Sequence, residues 1–324
     1  MVAAIRVHKV GGPDVLTYEE VDVAAPATGQ IRVRQHACGI NFIDTYFRTG
    51  LYAVPQMPFI PGNEAAGDVT AVGEGVADFK PGDRITYNIT HGAYAAERVL
   101  PAERAIKLPD GVSYEQAAGM MLKGMTARYL VREVYKVEKG TTVLMHAAAG
   151  GVGLIISQWA SSLGATVIGT AGSKEKAELA KANGCKHVIL YRDEDFVARV
   201  KEITGGKLCD VVYDGVGKDT FPGSLDCLRP RGMFATFGNA SGPVPPFNPL
   251  LLQQKGSLFM TRPTLIHYTA TRADLLDSAN DLFAAVKSGA VKIPVNQKYP
   301  LRDAGKAHED LESRATTGSS VLIP

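Results

Sequence analysis

The sequence predicts a two-domain α/β protein, with one mostly antiparallel β domain and one doubly wound parallel sheet. Three observations carry that expectation. The chain has 324 residues, enough for two domains at roughly 100–200 residues each. Residues 1–122 read as short strands broken by Gly and Pro. From about residue 142, apolar strands alternate with helices, the pattern of a parallel sheet covered on both faces.

Each element follows from its local pattern. Val2-Ala-Ala-Ile-Arg-Val7 and Gln30-Ile-Arg-Val-Arg-Gln35 read as strands. Gly62, Gly67, Gly73, Gly75 and Gly82, with Pro55, Pro58, Pro61 and Pro81, punctuate the stretch that follows, which suits irregular antiparallel structure. Ser113 reads as the cap of a helix over 114–122, and the spacing of Ala127, Leu130, Val131 and Val134 predicts a helix over 126–136. Strands are then expected at 142–147, 165–170, 187–191, 209–214 and 233–238, with helices at 153–163, 174–183 and 196–204. Leu276, Ala279, Leu282, Phe283 and Val286 mark one face of a helix over 275–288. The tail, with a helix near 304–313, is read as returning to the first domain. The expected division is therefore 1–122 with 263–324, and 123–262, with a substrate cleft between the parts.

Composition narrows the function. Hydrophobic residues make up 45% and charged residues 21% of the chain, so a core can be buried. Net charge is +2, with no basic tract, so neither nucleic acid nor an anionic membrane surface is an expected partner. No apolar run reaches the roughly 18 residues of a membrane span. The four cysteines form no Cys-x-x-Cys pair, which points to a reducing, cytoplasmic setting rather than a disulfide scaffold.

The strongest motif is His146-Ala-Ala-Ala-Gly-Gly-Val-Gly153, between an apolar strand and an apolar helix. It is a dinucleotide fingerprint with Ala148 at the first Gly position. The backbone must turn tightly, approach a pyrophosphate and aim helix N–H groups at it, so Ala149, Gly150, Gly151 and Val152 are expected to hold the phosphates. After the next strand no acidic residue stands where NAD binding requires one. Gly172, Ser173 and Lys176 stand there instead, which suits a 2′-phosphate and hence NADPH. Ser173 also reads as a helix cap and the lysine as its solvated face, and the two roles are compatible. Tyr191 has three readings: stacking near the adenine, a bond to the same phosphate, and ordinary packing.

The chain resembles the medium-chain dehydrogenase/reductase superfamily, and within it the zinc-free NADPH:quinone oxidoreductases related to zeta-crystallin. The likeness runs over the whole chain. It rests on Asn41-Phe-Ile-Asp-Thr-Tyr-Phe-Arg-Thr-Gly-Leu-Tyr52, Pro61-Gly-Asn-Glu-Ala-Ala-Gly67, Lys80-Pro-Gly-Asp-Arg84, Ala147 to Gly153, Asp214-Gly-Val-Gly217, Phe237-Gly-Asn-Ala240, Thr261-Arg-Pro263 and Arg314-Ala-Thr-Thr-Gly-Ser319. The resemblance implies a GroES-like catalytic domain joined to a Rossmann domain. Where zinc alcohol dehydrogenases of the superfamily carry a Cys and a His as ligands, this chain has Asn41 and Asn63. Amides are poor zinc ligands, and residues 85–112 lack the cysteines of the structural zinc lobe, so no metal is expected.

That expectation sets the chemistry. Alcohol oxidation needs a Lewis acid or strong base at the alkoxide. A quinone does not, because its aromatic product holds the developing charge, so hydride from NADPH and close positioning suffice. By resemblance, Asn41 bonds the cofactor near the nicotinamide ribose and Asp44 fixes its loop. Tyr46 and Tyr52 read either as donors to a quinone oxygen or as amphipathic wall residues. Thr126 reads as a cofactor contact or a helix-surface hydroxyl. Phe237, Gly238 and Asn239 are expected near the nicotinamide ribose. The backbone of Thr261, Arg262 and Pro263 is expected at the carboxamide, with Arg262 also open to a structural role. Arg314 reads as a phosphate or ribose contact or a surface ion pair. The resemblance also implies a homodimer, formed by extending the nucleotide-domain sheet through strands near 245–260; Leu250 and Leu258 read either as the apolar patch of that interface or as ordinary core strands. Rival readings are a 2-alkenal or enoyl reductase with the same cofactor and, in another class, an RNA-binding or crystallin-like protein.

Overall fold

The computed structural model describes residues 1–54 and 56–324, so Pro55, read above as one of the breaks, lies outside the described residues. The chain opens with strands β1 (Val2–Val7), β2 (Leu16–Val21) and β3 (Gln30–Ile40), helix α1 (Phe42–Thr49), then β4 (Glu64–Val72), β5 (Arg84–Asn88), β6 (Glu97–Pro101), β7 (Ala105–Lys107) and α2 (Tyr114–Ala118). It continues with α3 (Met121–Tyr129), β8 (Thr142–Met145), α4 (Gly151–Ser162), β9 (Thr166–Ala171), α5 (Lys174–Ala182), β10 (His187–Leu190), α6 (Phe196–Ile203), β11 (Cys209–Asp214), α7 (Gly223–Asp226) and β12 (Leu228–Thr236). It closes with α8 (Leu250–Gln254), β13 (Phe259–Thr261), α9 (Leu265–Tyr268), α10 (Arg272–Lys287), β14 (Val295–Pro300), α11 (Ala304–Glu312) and β15 (Ser319–Ile323).

These elements form two compact units: Met1–Leu122 with Thr271–Ala279 and Ile293–Pro324, and Lys123–Ala270 with Asn280–Lys292. In the first, strands run in the order β14-β15-β3-β4-β5-β7, with β6 also paired to β3. All of these pairings are antiparallel except β14 with β15. Its core includes Ile5, Ile31, Val33, Tyr87, Tyr94 and Leu100. In the second, the order β10-β9-β8-β11-β12-β13 is parallel throughout. That is the Rossmann order, reversing direction between β8 and β11, and ligands of such sheets bind beyond the carboxyl ends of the strands at that point.

Side-chain caps set several helix starts. Ser113 accepts from Gln116 N, Ser173 from Lys176 N, and Asp195 from Val197 N and Ala198 N. Several local expectations change. The helix expected over 114–122 stops at Ala118 as α2, and Met121 and Leu122 open α3. Residues 42–49, read as a bare motif, form α1, whose amphipathic turns were hidden inside that motif. The helix expected over 126–136 starts earlier, at Met121, as α3 and passes after Tyr129 into a π-helical stretch at Leu130–Val134. Leu250 lies on the short helix α8 rather than in a strand, and only Phe259–Thr261 pairs with β12.

Candidate active site

The parallel sheet gathers most of the predicted cofactor residues at one edge. Ala149 follows β8, Gly172 and Ser173 follow β9, Tyr191 follows β10, Phe237 to Asn239 follow β12, and Arg262 and Pro263 follow β13. Gly151 and Val152 open α4, and Lys176 lies in the first turn of α5. Thr126 is on α3 and only 7% exposed, so the surface reading of its hydroxyl is set aside.

The predicted phosphate loop is built from backbone. Gly150 caps α4 without a side-chain hydrogen bond, so no side-chain oxygen occupies the first N–H groups of the helix. A Cβ at Gly153 would lie 2.4 Å from Ala147 O and 2.8 Å from Ala148 Cα, so only glycine lets the helix pack this close to the turn. Ala147 adopts φ +53°, a left-handed conformation. Two bonds to Thr170 hold the turn: Ala148 N donates to its carbonyl at 3.0 Å and Ala147 N to its hydroxyl at 3.2 Å. Behind the turn, His146 bonds Thr170 Oγ1 through Nδ1 and Ser224 Oγ through Nε2, and Ser224 also donates to Asp214. Burial holds His146 below the usual imidazole range, against the pull of Asp214.

The cradle fits a dinucleotide. Bare helix N–H groups suit a pyrophosphate. At the far end a Cβ on Gly172 would lie 2.7 Å from the Tyr191 hydroxyl, so the glycine lets that ring reach the end of β9. At the carboxyl end of β12 the buried Thr236 Oγ1 lacks a partner, while Arg262 donates to Thr236 O at 2.9 Å. Arg262 thus ties the ends of two strands together. Thr261 is half-buried on β13.

In the other unit the predicted residues sit on or beside α1. Asn41 is its N-cap residue, and Asp44 Oδ2 accepts from Asn41 N at 2.8 Å, closing the first turn. Asn41 Nδ2 donates to Glu64 Oε1 at 2.8 Å, which fixes the amide and leaves its buried Oδ1 without a partner. That atom asks for a ligand donor such as a hydroxyl. Asn63 Nδ2 donates to Asp44 Oδ1, and Leu122 N donates to Glu64 Oε2. Both asparagines at the zinc-ligand positions therefore serve as donors to carboxylates. Among the described residues, no group of three His, Cys, Asp or Glu side chains is placed to hold a metal. Tyr46 is buried and Tyr52 partly so; their rings meet edge-on at 5.3 Å, and Tyr52 N donates to Tyr46 O. Arg314 is exposed after α11 with φ +62°.

Three residues were given no role from the sequence: Arg48, on α1 itself, and Tyr94 and His308 from distant segments, all fully buried. Tyr94 OH donates to Asp44 Oδ2 at 2.8 Å across fifty positions of chain, so no local pattern announces it. Burial, and then the charge of Asp44, raise the Tyr94 hydroxyl well above its ordinary range. Burial and the Arg48 charge push His308 down to about 3.

A GroES-like β unit and a parallel dinucleotide sheet together define the medium-chain dehydrogenases and reductases. Residues 27–139 match the alcohol dehydrogenase GroES-like domain family and residues 151–282 the zinc-binding dehydrogenase family. A quinone oxidoreductase of Salmonella typhimurium is 54% identical, with all of both chains covered. The structure of Escherichia coli quinone oxidoreductase complexed with NADPH superposes with a TM-score of 0.97 at 52% identity, covering 99% of this chain and 100% of that one. A 2-haloacrylate reductase from Burkholderia is 49% identical over all of this chain and 99% of its own. This chain belongs to the quinone oxidoreductase family of the medium-chain dehydrogenases and reductases.

Proposed function

We propose that this protein is an NADPH:quinone oxidoreductase that reduces quinones by hydride transfer without a metal. The observation that carries the reading is the full-length identity of 54% to a quinone oxidoreductase, since it spans both the dinucleotide sheet and the unit holding Asn41. When bound, NADPH supplies the hydride. The residues proposed to hold it are Ala149, Gly150, Gly151 and Val152 at the pyrophosphate, and Gly172, Ser173, Lys176 and Tyr191 at the 2′-phosphate end. Thr126, Phe237, Gly238, Asn239, Thr261, Arg262, Pro263 and Arg314 are proposed as further cofactor contacts.

The chain's own contribution is positioning. Asn41 offers its unpaired Oδ1 to a hydroxyl of the ribose, with Glu64 preventing the amide from turning over. Asp44 holds the first turn of α1. Tyr46 and Tyr52 are proposed to donate to a quinone oxygen as charge develops there, a role suited to a phenolic O–H. No strong base is required, because the product ring delocalises the charge.

The test is steady-state turnover of 1,4-benzoquinone with NADPH and with NADH, beside a 2-haloacrylate and a 2-alkenal. The expected result is fastest reduction of benzoquinone with NADPH. Faster turnover of the alkenes reverses the order, in favour of the chemistry named for the Burkholderia relative. A homodimer is proposed through β13, whose outer edge is unpaired among the described residues and which carries Phe259 at 59% exposure. Sedimentation of Phe259→Asp checks it, with a monomer expected. A cytoplasmic location is proposed from the four buried, unpaired cysteines, and cell fractionation tests it.

A further inference from the structure

We infer that His308, on the C-terminal helix α11, is a positioning residue for hydride transfer that acts through Tyr94 and Asp44 to orient Asn41. The inference rests on the quinone reductase reading, and its geometry lies within one unit. Asp44 and Arg48 are four positions apart and so share a face of α1. Arg48 Nη1 bonds His308 Nδ1 at 3.1 Å, His308 Nε2 bonds the Tyr94 hydroxyl at 3.1 Å, and that hydroxyl donates to Asp44 Oδ2. The chain of bonds thus leaves α1 at one end of the helix and returns to it at the other.

Donor types fix its direction. A guanidinium only donates, so His308 Nδ1 accepts and Nε2 carries the proton. Nε2–H therefore donates to the Tyr94 oxygen, leaving the Tyr94 proton for the carboxylate. Arg48 is itself anchored by Glu312, through Nη2 at 2.7 and 2.9 Å, and by Gly11 O. Apolar packing would hold α1 at a distance without setting its roll, whereas directional hydrogen bonds at two points on one face set it. The roll of α1 determines where its N-cap residue, Asn41, presents Oδ1. His308, Tyr94, Arg48 and Asp44 are each at most 1% exposed, so water does not compete for these bonds.

The experiment uses the full chain. His308→Leu and Tyr94→Phe are each expected to lower kcat for benzoquinone about tenfold while the NADPH Kd rises only about twofold to threefold, because the phosphate loop is untouched and only the Asn41 contact to the ribose is misdirected. The double variant is expected to lose no more than either single one, the signature of one shared chain. His308→Gln, with an acceptor and a donor on one amide, is expected to recover most of the rate. A purely structural role would lower thermal stability and leave kcat unchanged. If His308→Leu does not fold, Tyr94→Phe, which removes one hydroxyl, carries the test. Nitrogen-15 NMR of the unsubstituted protein is expected to show His308 neutral, with Nε2 protonated. Unchanged kcat in folded variants, additive losses, or the opposite tautomer each overturn the relay. Absence of benzoquinone turnover in the unsubstituted protein overturns the functional reading instead.

Discussion

The two candidate binding surfaces are made of different material. In the dinucleotide unit the surface is backbone: a turn, bare helix N–H groups and strand ends, with side chains held behind it by His146, Thr170, Ser224 and Asp214. In the unit that carries α1 the surface is side chain: one amide, fixed by a carboxylate and braced by a buried row of polar groups from distant segments. A backbone site tolerates little change in shape but most changes in charge around it. A side-chain site keeps its shape under substitution and loses its aim. The predictions that follow separate these two kinds of failure.

The largest effect belongs to the backbone site. Gly153→Val places a branched side chain where even a Cβ would lie 2.4 Å from a carbonyl oxygen. Overpacking of that kind costs about 3 kcal/mol. Denaturant unfolding is expected to show that loss, and NADPH fluorescence should show binding weakened beyond measurement. Retention of tight binding by a folded Gly153→Val protein would mean that the turn does not hold the pyrophosphate.

Each unit also buries one neutral histidine, which gives a matched pair. Both His308 and His146 have folded-state pKa values below the ordinary 6.5, because burial disfavours the charged ring. The unfolded chain then binds a proton that the folded one refuses, so stability is complete above 6.5 and falls as pH drops below it. For His308, whose folded value is about 3, the loss from pH 8 to pH 5 is about 2 kcal/mol. His308→Gln is expected to flatten that part of the pH–stability curve while leaving the His146 part in place. An unchanged slope would show that His308 is already charged in the folded protein.

The same contrast explains what was legible in the residues. The strand–helix alternation, the phosphate turn and the missing acid after β9 are local, and each could be read from neighbouring positions along the chain. Asn41 and Asp44 were reachable because they share a motif. Tyr94 and His308 were not, because they lie 214 positions apart and meet only once β3, β4, α1 and α11 have packed. An isolated Tyr or His in the sequence carries no sign of its partner. Helix α8 was missed for another reason: Leu250 to Leu252 are apolar without a period, which suits a strand and one helical turn equally.

A smaller effect separates the cofactors. Lys176→Ala removes a cation from the first turn of α5 and leaves the Ser173 cap in place. If that end holds a 2′-phosphate, the NADPH Kd should rise about tenfold, or about 1.4 kcal/mol, with NADH unaffected. Equal weakening of both cofactors would move Lys176 from phosphate recognition to helix packing.

The smallest effect tests whether the strain in the phosphate turn is needed. Ala147 sits at φ +53°, where an L-residue costs roughly 1–2 kcal/mol, and glycine escapes that cost while adding roughly 0.5–1 kcal/mol of chain entropy to the unfolded state. The balance favours Ala147→Gly by about 0.5 kcal/mol. Ala147 is exposed and its side chain is not needed for the bond from Ala147 N to Thr170 Oγ1, so the turn should keep its form. Denaturant unfolding should therefore show a slight gain, with the NADPH Kd unchanged. A gain in stability accompanied by weaker binding would mean that the methyl group stiffens the turn against a flexible alternative. The backbone site would then depend on a side chain after all, and the contrast between the two surfaces would narrow to one of degree.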